Sequence, residues 1–218
     1  MTGVSRTRLR PDLFPANDTS SIATDAAARD PVAEARAREY LLLSALLVAP
    51  PKQTLLDQVA TIKGDVSTLG MAHIALADAA AKTSEASAGA EYFRLFVGVG
   101  RGELLPYGSY YLSGFLNERP LVRLRQDLAR LGVERAEGVF EPEDHIATEF
   151  EVMAGLVAGR IPGGDAEADA FFRRHLAPWA RRFFTDLGAA EGSDFYRSVA
   201  ELGRTWIDIE TAVLDLSR

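Results

Sequence analysis

Phe195-Tyr196-Arg197-Ser198-Val199-Ala200-Glu201-Leu202-Gly203-Arg204-Thr205-Trp206-Ile207-Asp208-Ile209-Glu210-Thr211-Ala212-Val213-Leu214-Asp215-Leu216 sets the fold class of this chain. Phe195, Val199, Leu202, Trp206, Ile209, Val213 and Leu216 recur at alternating four- and three-residue steps, the spacing of one helix face. Ser193 stands just ahead as a helix cap. Working back, Phe172, Leu176, Trp179 and Phe183 form a second stripe. Pro178 lies inside it, and a mid-helix proline predicts a kink or two abutting helices. Ile146, Phe150, Met153 and Val157 make a third stripe. Leu121, Leu124, Leu128 and Leu131 make a fourth, with Arg123, Arg125 and Arg130 on its far side and Gly132 as its stop.

The N-terminal half reads the same way. Leu41, Leu42, Leu43, Leu46 and Leu47 cover most of a helix circumference and predict a helix in the middle of a bundle, ended by Pro50 and Pro51. Leu55, Leu56 and Val59 predict a short helix. Residues 68–86 are alanine-rich and read as one helix. Residues 90–97 read as another, broken by Gly98, Gly100 and Gly102. No strand alternation and no internal repeat is evident. The expectation is an all-α fold, a single helical bundle of about eight to ten helices over residues 31–218, preceded by a flexible N-terminal tail over residues 1–30.

Composition narrows the function. The 218 residues are 47% hydrophobic, enough for a core, and carry a net charge of -7. An acidic chain suits basic partners and is a poor match for nucleic acid, whose affinity comes from cationic side chains. There is no cysteine, which removes disulfides and thiolate chemistry. The longest apolar run, residues 40–51, is short of the roughly 20 residues a spanning helix needs, so no membrane insertion is expected. Arg6, Arg8 and Arg10 are followed by Pro11, Pro15, Asn17 and Asp18, not by the apolar stretch of a secretory signal.

Two segments carry the functional information. Glu141-Pro142-Glu143-Asp144-His145 opens the third stripe. Proline and acids suit a first helical turn, which is the plain structural reading. Asp144 and His145 directly precede Ile146, however, which predicts a place at the rim of the core. A carboxylate beside a groove can pair with a guanidinium, and a histidine can bond a peptide backbone. The second segment is Gly102-Glu103-Leu104-Leu105-Pro106-Tyr107-Gly108-Ser109-Tyr110-Tyr111, a loop running into a helix. Its tyrosines either pack the core or offer amphipathic rings to an apolar ligand.

Enzymatic readings are weaker. His73, His145 and His175 lie at no metal-ligand spacing, and there is no P-loop or nucleophile elbow. Residues 98–102 carry part of a dinucleotide fingerprint, but that fingerprint needs a preceding strand, and a helix is expected there. A nucleotide-binding enzyme using this loop is one alternative. A helical adaptor docking a partner helix on the Leu124 stripe is another.

Gly102-Glu103-Leu104-Leu105-Pro106-Tyr107-x-Ser109-x-Tyr111, then Glu141-Pro142-x-Asp144-His145, then His175-Leu176-x-Pro178-Trp179 resemble, in this order, the TorD/DmsD/NarJ family of redox-enzyme maturation chaperones. The resemblance covers about residues 35–217. It implies an all-helical bundle, monomeric or a domain-swapped dimer. It implies a cytoplasmic, non-enzymatic protein without a cofactor of its own. Such a protein binds the twin-arginine signal peptide of a molybdoenzyme precursor, assists cofactor insertion and delays export. Formate dehydrogenases and other dimethyl-sulfoxide-reductase-type enzymes are the implied clients. The implied peptide-binding residues are Glu141, Asp144, His145, Pro106, Tyr107, Ser109 and Tyr111. The two tryptophans, Trp179 and Trp206, lie late in the chain, so aromatic contacts at the site are expected from tyrosine and phenylalanine.

Overall fold

A computed structural model describes residues 7–9, 30–136 and 138–216. Ten α-helices and two π-helical turns account for most of them, in the all-α arrangement the stripes predict. Helix α1 (Pro31–Leu47) starts where Asp30 accepts the Val32 N–H at 2.9 Å, with Pro31 in the first turn. The remainder of the stretch read as a flexible tail lies outside the described residues. The exception is β1 (Thr7–Leu9), which pairs in parallel with β2 (Val133–Arg135). Three residues per strand are too few to show alternation in the sequence.

The centre of the bundle is α7 (Ile146–Val157), not α1. Ile146, Phe150 and Met153 on one face, with Ala147 and Ala154 on one flank and Leu156 on the other, are all buried. A helix apolar all round belongs inside. Helix α1 packs along it, and Ser44 donates its hydroxyl to the Ala147 carbonyl at 2.9 Å. Leu43, Leu46 and Leu47 are buried, but Leu41 and Leu42 on the opposite side are half-buried.

Helices α2 (Gln53–Val59), α3 (Thr68–Ala81) and α4 (Glu85–Tyr92) follow. The alanine-rich stretch read as one helix is two. Ser84 accepts the Ser87 N–H at 3.2 Å and starts α4 afresh. A π turn (Phe93–Val97) ends at Gly98. Helix α5 (Gly108–Ser113) leads to α6 (Arg119–Arg130), which stops before Gly132 as expected. Leu121, Leu124 and Leu128 are buried, so the stripe assigned to a partner helix is already covered by this chain.

Helix α8 (Gly164–Phe171) runs into a second π turn (Phe172–Leu176), and α9 (Ala180–Ala189) begins after Pro178, at the expected break. Helix α10 (Phe195–Leu216) packs on α9 and α3. Two expectations for it are corrected. Ser193 does not cap it; its Oγ is buried without a partner. Glu91 from α4 does so instead, accepting the backbone N–H of Phe195 at 3.2 Å and of Tyr196 at 2.8 Å. The stripe also turns. Phe195, Val199, Leu202 and Trp206 are buried, whereas Val213 is 44% and Leu216 88% exposed. A strict 3.5-residue repeat drifts off one face of a straight helix. Ile207, Glu210 and Leu214 take over the buried side. There Glu210 accepts from Arg36 Nη2 at 2.8 Å and from the Tyr40 hydroxyl at 2.7 Å. Among the described residues no helix is long and apolar enough to cross a membrane.

Candidate functional site

The loop after the first π turn is built by backbone approach. Gly98 has φ +64, and its N–H bonds the Phe93 carbonyl at 2.7 Å. Leu104 N–H returns to the Leu95 carbonyl at 2.8 Å. A helix precedes these glycines, so the strand required by the dinucleotide fingerprint is not there.

The loop then meets the acidic motif in a short antiparallel bridge between Tyr107 and His145. Ile146 N–H donates to the Pro106 carbonyl and Gly108 N–H to the Asp144 carbonyl, each at 2.9 Å. Asp144 Oδ2 accepts the Ser109 N–H at 2.8 Å, and His145 Nδ1 accepts the Ala147 N–H at 3.2 Å. Asp144 thus caps the neighbouring α5, while His145 caps its own α7. The Tyr107 ring stands edge-on to His145 at 5.3 Å, and its hydroxyl donates to the Glu141 carboxylate. Burial, reinforced by Glu141, pushes the Tyr107 phenol well above its ordinary range. Ser109 Oγ accepts the Asn117 N–H at 3.2 Å. Tyr111, two residues further along α5, packs on Trp179 at 5.4 Å and on Phe183 at 6.0 Å.

The structure therefore gathers Glu141, Asp144, His145, Pro106, Tyr107 and Ser109 around one bridge, with Tyr111 beside it. It corrects their depth. Asp144 is 1% and His145 5% exposed, so neither sits at an open rim. The bridge draws both under α5. Trp179 itself is buried and packs against Tyr111 from below.

Next to the bridge is a cavity of about 410 Å³ between α5, α6, α7 and the second π turn. Asp144 and Glu149 border it, as do Arg174 and His175, and Arg119 and Arg123 are exposed at its edge. Glu149 is 2% exposed. Burial first, and then the charge of Asp144, pushes its carboxyl well above the usual carboxylate range. Asp144 Oδ1 and Glu149 Oε2 are both buried without a hydrogen-bond partner, and so is the indole nitrogen of Trp179. Gly108 is wedged among them. A Cβ there would stand 3.2 Å from both Glu149 Oε1 and Trp179 Nε1. Buried polar atoms are nearly always satisfied, so three unpaired ones in one place are a functional signal.

Arg174 and His175 on this wall are paired with Asp127 behind them. Asp127 takes Arg174 at 2.6 Å and His175 Nε2 at 2.8 Å. Burial opposes ionisation of Asp127, but these two bonds outweigh it and hold its carboxyl below the usual range. Burial likewise holds His175 below the usual imidazole range despite Asp127.

Sequence reasoning missed Glu149, Asp127 and Arg174, and it read His175 and Trp179 as motif residues without placing them beside the site. The available signal for Glu149 was its position between Ile146 and Phe150, a carboxylate set into the apolar stripe of the most hydrophobic helix.

The family model for the nitrate reductase delta subunit matches residues 64–185, more than half of the 218 residues and inclusive of all three motifs. The chain belongs to this family. The resemblance to the TorD/DmsD/NarJ group is thereby borne out. Two curated relatives of this delta subunit family member are proteins named chaperone protein TorD. One, from Vibrio parahaemolyticus, is 27% identical over 138 residues, 57% of this chain and 63% of that protein, just under two thirds of its length. Another, from Vibrio atlanticus, is 24% identical over 204 residues, 83% of this chain and 95% of that protein. The crystal structure of a candidate redox enzyme maturation protein from Archaeoglobus fulgidus has the same fold. Its TM-score is 0.58 at 20% identity, covering 79% of this chain and 93% of that one.

Proposed function

We infer that this chain is a cytoplasmic maturation chaperone that binds the twin-arginine signal peptide of a molybdoenzyme precursor, a formate dehydrogenase or a related enzyme, and performs no bond chemistry. The observation that carries the reading is the pair of buried carboxyls, Asp144 and Glu149, each with an oxygen lacking a partner beside the cavity. Acceptors left open in this way suit a planar cationic donor, and a guanidinium is the side chain that forks onto carboxylates. An apolar platform for the stretch after the arginines is at hand. Leu112 borders the cavity, and Phe115 and Leu116 follow on the α5–α6 turn, Phe115 being 70% exposed. Membership of the delta subunit family and the TorD relatives support the same reading.

The test is co-expression with a tagged molybdoenzyme precursor from the same organism. The account expects co-purification with the full precursor and its loss when the signal peptide is deleted or its two arginines become lysines. Equal recovery of leaderless enzyme contradicts it.

A further inference from the structure

Glu149 has no role in holding the bridge. Its neighbours Asp144 and His145 make the contacts that join the two motifs, whereas the Glu149 carboxyl lies beneath Gly108, against Trp179, with Oε2 unbonded. The cavity it borders, about 410 Å³, has room for one long side chain and not for a folded segment.

We propose that Glu149, with Asp144, receives one arginine side chain of the bound peptide, and that its guanidinium drives a proton from the Glu149 carboxyl to solvent. The inference rests on the signal-peptide reading above and specifies how that site recognises arginine. The donors and acceptors match. The open Oδ1 of Asp144 and Oε2 of Glu149 offer two acceptors on separate carboxyls, and a guanidinium carries five N–H groups in a plane. Asp144 Oδ2 is already committed to Ser109 N–H, so the fork must span the two residues. A lysine ammonium is a compact point charge and cannot bridge them in the same way. The Trp179 N–H beside Glu149 favours the charged form of that carboxylate.

Protonation sets the empty state. Two buried carboxyls side by side do not both ionise readily, and burial already raises that of Glu149. A cation between them reverses both effects. The other groups facing the pair do not substitute for Glu149. From α6, Arg119 and Arg123 stand exposed at the cavity edge, and Asp127 is held by Arg174 and His175 of the second π turn. From the loop come the Ser109 N–H and the Tyr107 phenol, which is bonded to Glu141 and raised in pKa. His145 caps α7. His175 is held below the usual histidine range, so above about pH 6.5 it is neutral.

Calorimetry with the client's twin-arginine peptide, run between pH 5.5 and 8 in two buffers of different ionisation enthalpy, counts the protons released. The expected result is proton release on binding over the range between the usual carboxylate value and the raised one of Glu149, with affinity rising by up to about tenfold per pH unit there. Glu149→Gln, which preserves shape, binds at least about tenfold more weakly at pH 7.5 and releases none. Peptide binding by the wild-type protein without proton release overturns this inference and leaves the signal-peptide reading standing. Full pH dependence retained in Glu149→Gln also overturns it, assigning the titration to His175. No binding by the wild-type protein at any pH overturns both.

Discussion

Replacing Glu149 by glutamine changes one atom pair in the middle of the molecule, and its effect on stability is calculable in sign and slope. A glutamate in the unfolded chain titrates near about 4.3. In the fold, burial and the Asp144 charge hold the Glu149 carboxyl well above that. Between the two values the native state binds one proton more than the unfolded state. The stabilisation from the protonated form is fully present below the unfolded value and is lost as pH rises through the folded one. The slope in that window is about 1.4 kcal/mol per pH unit. Glutamine has no such proton, so the variant gains on the wild type as pH rises. Each pH unit of that window therefore moves the difference by a measurable part of the roughly 5–15 kcal/mol that holds an ordinary domain together. Asp127 and Glu167, whose carboxyls are held below the usual range, give slopes of the opposite sign. Those occur in both proteins and cancel in the difference. Urea unfolding of both proteins at pH 5, 6 and 7 measures the effect. A wild-type-to-variant difference that stays flat across this range refutes the argument that Glu149 is buried and uncharged.

Three further outcomes follow from particular contacts. Asp144→Ala removes the acceptor of the buried Ser109 N–H and should cost about 1–3 kcal/mol in thermal or urea unfolding, with Asp144→Asn losing less; an alanine variant as stable as wild type contradicts the capping role. Arg36→Ala strands Glu210, which is 2% exposed, beside the Tyr40 hydroxyl, and should destabilise by about 3 kcal/mol; a loss under about 0.5 kcal/mol shows that water reaches that carboxylate. Trp206→Phe leaves Trp179 as the sole indole, 5.4 Å from Tyr111, so peptide binding should shift its fluorescence; an unchanged spectrum at saturation places the peptide elsewhere.

What could be read from the chain divides along physical lines. Helices whose faces are set by apolar spacing were legible: Leu121, Leu124 and Leu128 are buried, Gly132 stops α6, and Pro178 separates the second π turn from α9. Features set by distant partners were not. Nothing local tells that Glu91 replaces Ser193 as the cap of α10, because that contact joins residues over a hundred positions apart. Alanine propensity over residues 68–86 hides the restart at Ser84. The residues that two of the motifs named meet in space: Glu141, Asp144, His145, Tyr107 and Ser109 converge on one bridge. The burial of Asp144 and His145 was not legible, since the Tyr107–His145 bridge is a tertiary contact. Glu149 was missed because one glutamate on an acidic helical chain is unremarkable until its surroundings are seen.

The central claim is that the site recognises arginine in a peptide. Calorimetric titration of the wild-type protein at pH 7.5 with the signal peptide of its molybdoenzyme client, in twin-arginine and twin-lysine forms, tests it most directly. The account predicts micromolar binding of the arginine peptide and binding of the lysine peptide at least about tenfold weaker. Equal affinity for the two, or no heat from either, contradicts it.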